Sequence, residues 1–177
     1  MSFLSNHQTS SALAIFAILI AIFYGNTLQN GFVFDDKSAI EQNENLRSLG
    51  NIHKVITGCL QEVADGGCRE TPYQYYRPVQ HLLVFLTYQV SSAPWFFHLL
   101  NLFYFFAAVA LIFIFAKLLT RNFFTAVLSG VFFIVHPLNS SVANYVSAGP
   151  ELTFLIFSLL AVIFYLRHGA AKKRHSS

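Results

Sequence analysis

The chain has 177 residues, of which 55% are hydrophobic, 16% aromatic and only 11% charged. A soluble globular domain carries about a quarter charged residues, so an ordinary soluble enzyme is excluded, and so is disorder, because a chain this apolar has ample surface to bury. The net charge of +3 does not point to nucleic acid, since the bases flank apolar runs instead of forming one basic face.

The first element is the unbroken apolar run over residues 12–24, which Ser, Thr and Gly extend into a span at about 9–26. A secretory signal peptide is the competing reading. The region ahead of the run lacks Lys and Arg, and no small-x-small cleavage site follows it, so a retained anchor is favoured. A polar segment over 27–93 comes next. It holds seven of the eight acidic residues. Residues 94–117 form the strongest span signal, closed by Lys117 and Arg121. Two shorter apolar runs give spans at about 121–136 and 151–167, short enough that tilt, local thinning or a re-entrant hairpin stays open. A basic tail occupies 168–177.

The expected fold is therefore an all-α integral membrane protein, a single membrane domain of about four transmembrane helices with a partly helical first outer loop. Four spans place both termini on one side. All six bases outside the long loop lie in the 117–121 connection or the C-terminal tail, so that side reads as cytoplasmic and the long loop as outer or lumenal. Either a bacterial inner membrane or the endoplasmic reticulum fits.

Within the outer loop, Ser38-Ala39-Ile40-Glu41 matches a capping box and predicts a short helix from Ala39. Val79, Leu82, Leu83, Leu86 and Val90 recur at helical spacing beside Gln80, His81, Thr87 and Gln89, which predicts an interfacial amphipathic helix over 79–91 or the start of a tilted span. Cys59 and Cys68 share the loop. In an oxidising compartment they are candidates for a disulfide worth about 2–3 kcal/mol, with a reduced pair as the alternative. A zinc site with His53 would lack two further ligands.

Three clusters carry functional groups. Asp35 and Asp36 follow the apolar Gly31-Phe32-Val33-Phe34. A partly desolvated carboxylate there could take a proton from an attacking hydroxyl while its neighbour binds a metal or orients an acceptor, although both could equally be helix-capping groups. Tyr73-Gln74-Tyr75-Tyr76-Arg77-Pro78 offers a forked donor for phosphate oxygens among interfacial tyrosines, or else an aromatic belt. His136-Pro137, Asn139, Asn144 and Glu151 occupy the second outer connection, where imidazole and carboxylate suit an interfacial site and Pro137 and Glu151 also suit helix ends. His98 and Asn101, at i and i+3 inside a span, suggest a helix-packing hydrogen bond more than a ligand.

The phrases GFVFDDKSAIEQN, YYRPVQHLLVFLTYQ, FFHLLNLFYFF and GVFFIVHPLNSSVANYVSAGPELT, in that order, resemble the N-terminal membrane region of the transmembrane and tetratricopeptide-repeat (TMTC-type) proteins. Those are GT-C class glycosyltransferases related to protein O-mannosyltransferases. The resemblance implies the front half of a GT-C fold and transfer of a hexose, mannose by the family's pattern, from a polyprenyl phosphate to a hydroxyl on the outer face. It maps the acidic catalytic pair onto Asp35 and Asp36, and substrate-binding positions onto Tyr76, Arg77, His136 and Glu151. Where such proteins usually carry a Gly-Arg-Ala-Glu-like sequence, this chain reads Ser147-Ala148-Gly149-Pro150-Glu151, without the Arg. The implied partners are membrane lipid and a lipid-linked sugar, with a protein acceptor or a partner membrane subunit. No cofactor is specified beyond the sugar donor, and a metal requirement stays open. The four-span length also fits a catalytically inactive fragment or interaction subunit of the same family.

Overall fold

The computed structural model of the protein describes residues 6–57 and 77–175. It is an all-α membrane protein, with no strand among the described residues. Three stretches are long and apolar enough to cross a membrane: His7–Gln29, Pro94–Thr120 and Val146–His168.

Helix α1 (Asn6–Tyr24) runs into a 3-10 turn, Gly25–Gln29. It is apolar all round, yet Ala12, Phe16, Ile20 and Tyr24 are buried while Ile15, Ile18, Ile22 and Phe23 are exposed. A spacing of four aligns the buried set as one stripe. The outward side chains would make an unstable surface in water and suit lipid contact. Short turns over 37–51 and helix α2 (Ile52–Thr57) follow, and then α3 (Pro78–Val90) and α4 (Pro94–Thr120). The latter two each start with Pro in the first turn, where no intrahelical N–H is lost.

At 27 residues, α4 is about 40 Å long and forms the spine against which the other spans pack. It ends at Arg121 in the left-handed region (φ 55°), and Asn122 then caps α5 (Phe123–Val135) by accepting from the Thr125 N–H at 3.1 Å. This two-residue reversal makes α4 and α5 antiparallel neighbours. Lys117 Nζ lies 5.7 Å from the Phe113 ring centroid and 5.1 Å from that of Phe123, so its charge stays in contact with aromatic faces across the turn. Helix α5 has 13 residues, about 20 Å, and ends where His136 precedes Pro137. Helices α6 (Asn139–Asn144) and α7 (Gly149–His175) complete the chain, joined by a 3-10 turn at Val146–Ala148.

Two cores result. The larger lies between α1, α4, α5 and the start of α7 around Phe16, Tyr24, Phe105, Phe113 and Ile134. Tyr24 Oη donates to the Ile134 carbonyl at 2.6 Å, pairing a C-terminal carbonyl that α5 itself leaves open. Gly130 lets the Phe16 ring cross α5 closely: an added Cβ would lie 2.5 Å from Phe16 Cζ. Phe16 is fully buried and also packs edge-on against Phe113, so it has nowhere to retreat. Gly130→Ala is expected to cost about 1–3 kcal/mol through overpacking, and adding Phe16→Leu should recover much of it. Unfolding titrations of the single and double variants check this.

The smaller core assembles Phe32, Ile40, Leu46, Val55, Val84, Phe85, Phe97 and Val146, so the described part of the segment between α1 and α4 is a packed cap over the start of α4. Gln89 Nε2 donates to the Leu46 carbonyl at 2.6 Å, and His81 Nδ1 pairs with the Val55 carbonyl at 3.2 Å. Helix α3 turns two of its polar residues, together with Val84 and Phe85, toward the protein. His81 and Thr87 are buried, while Val79, Leu86 and Val90 are exposed. The reason is that these polar groups find partners in the cap and in the Leu83 carbonyl, which removes their need for water.

Candidate active site

The two aspartates of the first cluster are separated by their surroundings. Phe34, just before them, has φ 46° and is 85% exposed. A left-handed backbone costs a non-glycine residue about 1–2 kcal/mol. The bend turns the chain so that Asp35 faces outward and Asp36 inward. Asp35 is exposed; Asp36 is fully buried.

The backbone continues as a single wide helical turn over Lys37–Glu41, so the turn starts earlier than a capping box at Ser38 would place it. Ser38 Oγ donates to the Asp35 carbonyl at 3.2 Å, and Asp36 occupies the N-cap position without capping through its side chain. Its carboxylate is engaged elsewhere. Oδ1 accepts from the Ser147 N–H at 2.8 Å and from Ser147 Oγ at 2.5 Å. Oδ2 is buried without a hydrogen-bond partner.

Three contacts between segments about 110 residues apart join this corner. The Phe34 and Tyr145 rings meet edge-on at 6.4 Å, the Asp35 N–H donates to Tyr145 Oη at 3.2 Å, and Asp36 receives Ser147. The receiving segment is itself held from α4. Asn101 Nδ2 donates to the carbonyls of Val142 at 2.8 Å and Ala143 at 3.0 Å, with Tyr145 O at 3.5 Å. These are carbonyls at the end of α6 that its single turn leaves unpaired. From the other side Gly149 sits against Gln80 of α3, where an added Cβ would meet Gln80 Nε2 at 2.9 Å.

Burial sets the electrostatics. Loss of water around Asp36 pushes its carboxyl above the ordinary carboxylate range, outweighing the opposing Ser147 hydrogen bonds. Tyr145 is likewise raised, first by burial. The corner therefore offers one immobilised, half-satisfied carboxylate with enhanced proton affinity, which is what a general base needs.

The other sequence-derived candidates are placed as follows. Tyr76, Cys59 and Cys68 lie outside the described residues. Arg77 is exposed at the N-cap position of α3. His136 closes α5, half-buried and edge-on to Phe132 at 5.3 Å, with the Leu138 N–H directed to its Nδ1 at 3.4 Å. Glu151 is exposed in the first turn of α7. Neither His136 nor Glu151 hydrogen-bonds or ion-pairs with Asp35 or Asp36 among the described residues. Those residues also contain no group of three or more His, Cys, Asp or Glu suited to a metal ion. Sequence reasoning did not single out Ser147 or Tyr145 as site residues, although both lie in the phrase that carries the family resemblance.

Comparison with known proteins gives consistent relatives. The chain is 31% identical over 150 residues to the human protein O-mannosyl-transferase TMTC3, covering 84% of this chain and 16% of that protein. It is 29% identical over 154 residues to protein O-mannosyl-transferase Tmtc2 of Drosophila melanogaster (85% of this chain, 16% of that protein). With Tmtc1 of the same organism the identity is 27% over 171 residues, covering 95% and 19%. The chain thus spans about a sixth of the length of the first two relatives. No family model and no solved structure matches.

Proposed function

We propose, on the premise that this chain is a relative of the TMTC-type protein O-mannosyl-transferases, that it is a membrane glycosyltransferase unit whose base is Asp36. The donor is a polyprenyl-phosphate hexose, with mannose the first candidate from the relatives' names, and the acceptor a protein hydroxyl on the outer or lumenal face. The observation that carries this reading is the buried carboxylate with Oδ1 fixed by Ser147 and Oδ2 unpartnered.

In the reaction, the acceptor oxygen attacks the anomeric carbon and its proton passes to Asp36 Oδ2. The bond from that carbon to the phosphate oxygen breaks, and its electron pair leaves with the lipid phosphate. Arg77, with Tyr76 and His136, is assigned to the lipid phosphate, and Glu151 to the substrate. Asp35, exposed beside the base, is assigned to acceptor orientation. The topology in this reading has both termini cytoplasmic, supported by Lys117, Arg121 and Arg167 flanking the apolar helices.

The test is incorporation of the protein into vesicles with polyprenyl-phosphate mannose and a Ser/Thr-containing peptide. Mannosylated peptide is expected. Absence of transfer with the helical fold intact would favour a silent interaction subunit. The rate should also depend on pH in a defined sense. The base works ionised and its carboxyl is raised, so kcat/KM should climb with pH through a midpoint above the ordinary carboxylate range and then level off. A profile already flat from that ordinary range would remove Asp36 as the base.

A further inference from the structure

The fold alone does not explain the ring at Phe34. The Asp36 N–H donates to the Val33 carbonyl at 2.9 Å and the Lys37 N–H to the Phe34 carbonyl at 3.2 Å, so residues 33–36 form a tight turn with Phe34 at its first central position. At φ 46° this is a place where glycine, asparagine or aspartate bends the chain at little cost, and a large aromatic is the strained choice. The bend therefore does not account for the side chain. Packing does not either, because Phe34 is 85% exposed and its edge-on meeting with Tyr145 leaves most of the ring open.

The turn is nevertheless firmly mounted. Phe32 before it is buried edge-on to Phe97 at 5.3 Å, and Asp36 after it is buried and held by Ser147. Between these anchors the ring is presented outward, two positions from the base and so at most about 7 Å from it along the chain. Asp35 and Lys37 stand on either side, both exposed, and charges this close oppose its sinking into hydrocarbon. A strained, open aromatic fixed beside a reacting group is the pattern of a ligand contact.

We propose that Phe34 is the stacking platform for the hexose of the lipid-linked donor. The proposal rests on the reading of Asp36 as the base of a glycosyltransferase and adds the place of the sugar. A hexose has a face of C–H bonds and a rim of hydroxyls. Its C–H face lies on the Phe34 ring, whose electron-rich π face attracts the slightly positive hydrogens, while the hydroxyls keep water and the exposed charges around the turn as partners. The anomeric carbon is thereby held beside Asp36. Phe34 contributes binding and takes no part in proton transfer, so its loss should weaken the donor complex more than it slows the chemical step.

The experiment reads binding directly and needs no activity. The chain holds a single tryptophan, Trp95, so Phe34→Trp in a Trp95→Phe background puts one indole at the platform. In vesicles its emission should change saturably with polyprenyl-phosphate mannose, and not with the same polyprenyl phosphate lacking the sugar or with a Ser/Thr-containing peptide. In the transfer assay, Phe34→Leu should raise the donor KM about three- to tenfold with kcat little changed, while Phe34→Tyr keeps the wild-type value. Phe34→Gly adopts this φ freely and serves as the second variant if Phe34→Leu does not fold, with a rise in KM at least as large. No response to the sugar-bearing lipid, or an equal response to the bare lipid phosphate or the peptide, overturns the platform. Quenching by brominated lipid with no donor present does so too, because it places the ring in the bilayer. A sugar-dependent response with no transfer in the wild type keeps the platform and removes the glycosyltransferase reading. Transfer with no sugar-dependent response and an unchanged donor KM does the opposite.

Discussion

Asp36→Asn should lower transfer by about 10²–10⁴-fold and leave the protein at least as stable as the wild type. The side chains are nearly isosteric, and Asn Oδ1 can still accept both Ser147 hydrogen bonds. What disappears is the buried basic oxygen of Asp36, and with it an ionisable group that resists ionisation. The sign of the stability effect follows from the raised carboxyl. Between the ordinary carboxylate value and the raised one, the folded state holds more protons than the unfolded state, so wild-type stability falls as pH rises through that window and then stays level. Asn does not titrate. The advantage of the variant should therefore open across that window and persist at neutral pH, measured as the difference in unfolding midpoint against pH. Asp35→Asn, at an exposed position whose backbone N–H bond to Tyr145 Oη the substitution leaves in place, should keep far more activity. Equal losses from the two variants would contradict the division of roles.

Asn101→Leu is the second large effect, and it acts at a distance. The shape is nearly kept, but two well-formed donations to buried carbonyls are lost. Leaving such groups unpaired costs about 1–3 kcal/mol. In membrane proteins single interhelical bonds average nearer 0.6 kcal/mol, so the lower half of that range is expected for global unfolding. The local effect should be larger, because Asn101 is what ties the end of α6 and Tyr145 to α4. Without it the Ser147 amide should exchange hydrogen about ten- to a hundredfold faster, as its bond to Asp36 opens more often. Transfer should fall although every group assigned to chemistry is present. Unchanged exchange at Ser147 would show that the segment is held by other means.

Much of this molecule is readable from residue order because membrane spans are defined locally. The runs around α1, α4 and α7 are long and apolar, and length and hydropathy suffice to find them. Asp35 and Asp36 stand out for the opposite reason, as paired charges beside an apolar stretch. What local pattern could not supply is which of them is buried. That is decided by a left-handed Phe34 and by Ser147, 111 positions away, and a Ser between Val and Ala carries no signal by type or spacing. The capping box at Ser38 is displaced because the helical turn already begins at Lys37, which puts Ser38 inside it and Asp36 at the N-cap position. Along α3 the helical period is legible in the residue order, but not that His81 and Thr87 turn toward the protein, where the Val55 and Leu83 carbonyls satisfy them.

The Phe16–Gly130 crossing has a consequence for how such chains can diverge. A ring at 16 requires hydrogen at 130, and any methyl at 130 requires a smaller group at 16. Evolution can then move between the two solutions only through a strained intermediate, so the positions should change together across relatives and behave as a single inherited character.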